Sequence, residues 1–184
     1  MKSFSCKLLA LAALLSPLTA LADRYRVDAI VFLNPPADEV GVAPQHPDNG
    51  QALALDDSTG LSTAGLTLLP EAGFALTAEW NNLRAAHRYT PLLKLSWLQD
   101  SPPADGGPAL RIYLPSGDGI SGLDGWLRLS AGRFPHMDAD LEYVHAVDGV
   151  ALAWRLRDKR KAADPSLIYL DSARVGVLAK VVKQ

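Results

Sequence analysis

From residue 25 onward, apolar and polar residues fall into blocks, most with the two-residue period of strands. Residues 25–33 alternate at first and then run continuously apolar, the pattern of a strand buried at one end; Asn34-Pro35-Pro36 stops it. Residues 92–98 put Leu93, Leu95 and Trp97 on one face. Further strands are predicted over 109–114, 125–133, 137–145, 150–158, 167–171 and 175–182. Asp148-Gly149, between two alternating runs, is a hairpin signal. One helix interrupts the strands. Leu69-Pro70-Glu71 reads as its start, and Phe74, Leu76, Trp80, Leu83 and His87 follow at amphipathic spacing over about 16 residues, ending at Tyr89-Thr90-Pro91. Residues 37–67 carry Pro44, Pro47, Gly50, Gly60 and Gly65 with no sustained period, and are expected to form a long loose or disordered excursion. The sum predicts an α+β fold: a mainly antiparallel sheet with one principal helix packed on a face, its strand–helix–strand start compatible with a ferredoxin-like opening.

The first 22 residues stand outside this pattern. Lys2 and Lys7 precede and flank the apolar run 8–15, Ser16-Pro17 breaks it, and Ala20-Leu21-Ala22 supplies small residues where a signal peptidase reads. Residues 1–22 are therefore expected to be a cleaved signal peptide, leaving residues 23–184 as a single domain. The run is shorter than the roughly 20 apolar residues of a membrane span, so no transmembrane segment is expected after cleavage. Cys6 lies upstream of the apolar run and leaves with the leader, so the remainder has no cysteine and can form neither a disulfide nor a thiolate metal site. An exported chain of this size without disulfides fits the bacterial periplasm best. Lys2 and Lys7 also leave with the leader, which takes the net charge from −2 to −4 and argues against a nucleic-acid partner.

Two stretches could carry chemistry. In residues 136–143, His136, Asp138, Asp140 and Glu142 share one face of a strand, with Met137, Ala139, Leu141 and Tyr143 on the other. Such a row could bind a cation or do acid–base work, but alternate residues stand about 7 Å apart, too far for all four to hold one ion. A solvated polar face is the simpler expectation. No nucleophile elbow, zinc-protease motif or phosphate loop occurs, and neither a metal nor a cofactor is expected. The second stretch, Arg155, Arg157, Lys159, Arg160 and Lys161, concentrates cations on an acidic chain and could meet phosphates, lipid headgroups or the carboxylates of cell-wall stem peptides. The alternative is a charged edge that keeps a sheet soluble. Trp80, Trp97, Trp126 and Trp154 could stack on sugars, but each sits in an apolar pattern that favours core packing.

Four blocks together resemble the CsiV family of periplasmic proteins of Gram-negative bacteria. They are Tyr25-Arg26-Val27-Asp28-Ala29-Ile30-Val31-Phe32; Leu83 through Tyr89-Thr90-Pro91 to Trp97-Leu98-Gln99; Gly125-Trp126-Leu127-Arg128-Leu129 with Gly132-Arg133-Phe134-Pro135-His136; and the cationic run with Leu167-Ile168-Tyr169-Leu170-Asp171 and Val175-Gly176-Val177-Leu178. The chain departs from the family pattern at Lys94, Leu98, Ile168 and Ser172-Ala173, so it resembles a divergent member. The resemblance implies peptidoglycan binding and an accessory, non-catalytic role in cell-wall assembly. Peptidoglycan is then the expected partner, with a cell-wall synthesis or envelope protein as a second. The family supplies no binding residues to transfer. The candidate ligand-binding residues, Arg133, His136, Arg155, Arg157 and Arg160, come from the residues themselves. Two rival readings are an envelope protein–protein interaction module without wall binding, and a wall hydrolase using the 136–142 face.

Overall fold

The computed structural model describes residues 23–36, 40–162 and 166–184; the expected signal peptide, 1–22, lies outside them. The central strand is β1 (Arg24–Leu33). Its Tyr25, Val27, Ala29, Val31 and Leu33 point one way and Ile30 and Phe32 the other, and all of these are buried. The continuous apolar end of this strand thus needs cover on both sides, and the rest of the fold supplies it.

The chain continues through β2 (Ala52–Leu53), the short helix α1 (Ser58–Thr63), β3 (Leu66–Leu68), α2 (Thr77–Ala85), β4 (Thr90–Asp100), β5 (Ala109–Pro115), β6 (Gly122–Ala131), β7 (Pro135–Val147), β8 (Val150–Lys161), β9 (Leu167–Asp171) and β10 (Val175–Lys183). Two five-stranded sheets result. The first has the order β3-β4-β1-β10-β9 and is antiparallel throughout; the second has the order β2-β5-β6-β7-β8, with a parallel contact at β2–β5. One apolar cluster joins them. Val27, Ala29 and Val31 of β1, Trp97 of β4 and Val177 of β10 share it with Ile112, Leu127, Met137, Leu141 and Leu156 of the second sheet.

The eight long strands fall close to their predicted positions, but the single sheet of the prediction is two. The ferredoxin-like opening is absent, because β4, the strand after the helix, pairs antiparallel with β1 rather than parallel. The helix is also shorter than its amphipathic pattern. Residues 70–76 form turns around Gly73, whose φ of +85° leaves the helical region, and α2 begins only at Thr77. Those turns are pinned to β1. Buried Asp28 accepts two hydrogen bonds from Arg26, one from the Ser96 hydroxyl and one from the Ala75 amide, while Arg26 also donates to Gly73 O at 2.6 Å. Phe74 and Leu76 then cover Ile30 and Phe32, with Trp80 and Leu83 of α2 packed against them.

Of residues 37–67, expected to be loose, 37–39 lie outside the described residues; the rest contain β2, α1 and the start of β3, and residues 42–53 cross the outer face of the second sheet. Val42 bridges to Ala153 on edge strand β8, residues 45–49 pass over β7 and β6, and β2 joins the opposite edge at β5. This strap frames the site described next.

Candidate functional site

The Asp148-Gly149 turn sets the geometry. Both residues have positive φ, 52° and 79°, as a two-residue type I′ hairpin requires, and this fixes β7 against β8 from Val147↔Val150 outward. The register puts Glu142 opposite Arg155, Asp140 opposite Arg157, Asp138 opposite Lys159 and His136 opposite Lys161. All eight lie on the outer face of the second sheet, since Ala139, Leu141 and Leu156 between them are in the core. The acidic row and the cationic run are thus two sides of one cross-strand charge ladder, an arrangement that stabilises antiparallel pairs.

Within the ladder the charges are unevenly used. Arg155 reaches diagonally and gives Nε and Nη2 to the two oxygens of Asp140 at 2.6 and 2.7 Å. Asp138 accepts from Arg128 on β6 at 2.8 Å, and Lys159 pairs at 3.0 Å with Asp105 in the 101–108 turn. Glu142 accepts the backbone N–H groups of Gln45 and His46, both at 3.0 Å, and so anchors the strap. Asp140 and Glu142 are 4% and 2% exposed, so the row is a buried structural network rather than the solvated face expected. Arg157 is different. Its side chain is 79% exposed and only grazes Asp140, at 4.0 Å, whose oxygens Arg155 already holds.

Beyond His136 the ladder runs into the β6–β7 turn. Phe134, partly exposed, lies under the Lys161 ammonium, 3.3 Å from the ring centroid, with the Arg133 guanidinium 5.4 Å from the same centroid. Among the described residues, Arg133 and Lys161 take part in no ion pair. His136 Nδ1 is 3.0 Å from Phe134 O, which fixes the imidazole at this end. The outer face also carries Trp126 and Arg128 of β6. There Trp126 is half-buried, with Arg128 stacked 4.4 Å from its ring centroid and its indole N–H donated to Asp48 O at 3.1 Å.

Of the five candidate residues, the structure brings Arg155, Arg157 and His136 onto one face and sets Arg133 at its end. Arg160 departs from that face. It stands opposite Met137 and donates to Asp158 at 2.7 Å. Lys161 and Phe134 belong with the group although neither was a candidate. Of the tryptophans, Trp97 is in the core, whereas Trp80, Trp126 and Trp154 are only partly buried.

A family model described as "Peptidoglycan-binding protein, CsiV" matches residues 4–184. The chain belongs to the CsiV family. No curated protein and no solved structure matches it. The family is described as peptidoglycan-binding, which is the activity of a cell-envelope protein. In this CsiV-family chain no helix among the described residues is long and apolar enough to cross a membrane. Among those same residues no cluster of His, Cys, Asp or Glu could hold a metal ion, and the 136–142 row engages neighbouring arginines and backbone amides instead.

Proposed function

We propose that this CsiV-family protein is a non-catalytic periplasmic component that binds peptidoglycan and assists cell-wall assembly, and that it does so through the cationic end of the charge ladder. The observation that carries this reading is the surplus cation. Arg157 faces solvent beside an acid that Arg155 already satisfies. Peptidoglycan stem peptides present carboxylates, and an exposed guanidinium binds a carboxylate through paired hydrogen bonds. Arg133 extends the same cationic edge toward the β6–β7 turn, with the His136 imidazole beside it as a hydrogen-bonding group, and the Trp126 ring offers a surface for a sugar. In this reading Arg155 positions the ladder through Asp140 and does not touch the ligand, while Arg160, on the other side of β8, stands apart.

Sedimentation of the purified protein with protein-free sacculi, at low and moderate salt, tests this function. Binding that weakens as salt rises is the expected result. Failure to sediment at either salt would overturn it and favour an envelope interaction module without wall binding.

A further inference from the structure

At the end of the molecule where β1 begins and β10 ends, the two sheets do not close on each other. They leave a cleft of about 390 Å³ lined by Tyr25, Phe134, Pro135, Ala162, Val181 and two lysines, Lys161 and Lys183. The sequence explains the opening. Proline and alanine stand where β7 starts and β8 ends, joined by the Ala162 N–H to Pro135 O hydrogen bond at 2.8 Å, and neither has a side chain long enough to fill the space. Tyr25, Ala162 and Val181 are buried and make an apolar wall, and Phe134 stands partly exposed among the lining groups. Both charged lining residues are lysines, and Asp23, which pairs with Lys183, stands outside the lining. Lys161 lies on the Phe134 ring, and Lys183 is held charged by its 2.7 Å pair with Asp23 at the edge. The volume is at the small end of the range for ligand pockets, which begins near 300 Å³, so it suits one or two small residues rather than a glycan chain.

We propose that this cleft receives the carboxylate end of a short peptide with small apolar side chains, the class to which an alanine-ended stem peptide belongs. The methyl groups lie against Tyr25, Ala162 and Val181, and the carboxylate meets the Lys161 and Lys183 ammonium groups. This inference rests on the wall-binding reading for its biological source and names the part of the wall that the fold selects. An acyl chain with an anionic head shares the chemistry in part, but a cleft this small admits only its tip.

The test uses the purified protein and the probe N-acetyl-D-alanyl-D-alanine, followed through the backbone amide signals of Ala162 and Val181. Saturable shifts at both residues are expected. They should weaken about tenfold or more when the probe carries a C-terminal amide instead of a carboxylate, and also in K161Q and K183Q proteins whose near-ultraviolet circular dichroism is unchanged. Equal responses to acid and amide, no shift at these residues, or saturable shifts with hexanoate alone would each overturn the proposal. The amide comparison needs no variant, so misfolding cannot mask the answer. Sacculus sedimentation by the same preparation separates the two levels: bound sacculi with a silent cleft remove only this inference, whereas unbound sacculi remove the wider reading.

Discussion

Arg155 and Asp140 meet through two short, parallel hydrogen bonds across the β7–β8 pair, one step off the direct register. Asp140 is buried, and the Arg155 guanidinium supplies a donor to each of its two oxygens there. The neighbour directly opposite Asp140, Arg157, is thereby released from a structural duty. Two arginines of identical chemistry, two positions apart in one strand, have been divided by geometry into a structural and an available cation.

That division predicts unequal stability effects. Replacing Arg155 by alanine strands a buried carboxylate and should cost about 2–3 kcal/mol, at or just below the bottom of the range for broken buried pairs because Arg155 is itself partly exposed. Replacing Arg157 by serine should cost less than about 0.5 kcal/mol. Urea unfolding measures both. Equal losses would contradict the assignment.

The strap over the second sheet should depend on Glu142. In an E142Q protein the side chain keeps its shape but loses the charge that two amide donors share, and those charge-assisted bonds are the stronger kind. Hydrogen exchange at the Gln45 and His46 amides should accelerate by about tenfold or more while exchange in β6 and β7 stays slow. Unchanged protection at both amides would show that the strap is held by something else.

Asp28 carries a pH dependence. Burial pushes its carboxyl up, but the hydrogen bonds from Arg26, Ser96 and the Ala75 amide, with the Arg26 charge, outweigh this and hold it below the ordinary 3.8. A group whose folded value lies below its unfolded one stabilises the fold above the unfolded value, and that stabilisation disappears as pH falls through the folded value. Melting temperature should therefore fall from roughly pH 5 toward pH 2 less steeply in D28N than in the unaltered protein. Parallel curves would remove Asp28 as a contributor.

Gly176 on β10 lies directly under Phe32. A Cβ there would stand 2.5 Å from the ring's Cζ, within a wall that also includes Tyr89 at 5.7 Å and Tyr169 at 6.3 Å between centroids. G176A should destabilise by about 1–3 kcal/mol through overpacking, measured by thermal unfolding. An F32L change in the same protein should restore part of the loss.

Much of this architecture is written in the local sequence, and some of it is not. The strands are legible because each has an apolar face, and the Asp148-Gly149 turn is legible because few residue pairs accept positive φ twice. That turn alone dictates that Glu142 faces Arg155 and Asp140 faces Arg157, so the charge ladder could have been obtained from sequence by counting outward from it. Each row by itself has the pattern of an acid face or of a free cationic patch. Other features had no local signal. The stacking of two sheets depends on which strands pair at long range, and Pro70 marks a helix start as plausibly as the turn it occupies. The strap has little local signal for another reason: most of its contacts are made by the Gln45 and His46 backbone and by Asp48 O, which no side-chain pattern records. The cleft is formed by small residues at strand ends, whose contribution is the space they leave.

The central claim is that the cation spared by the Arg155–Asp140 pair, with Arg133 at the same edge, is what holds the wall. The most direct measurement is sedimentation with protein-free sacculi of the unaltered protein beside an R133S/R157S double variant that unfolds at the same urea concentration. The unaltered protein should sediment in a salt-sensitive manner and the double variant should stay in the supernatant. A folded double variant that sediments as fully as the unaltered protein would contradict it.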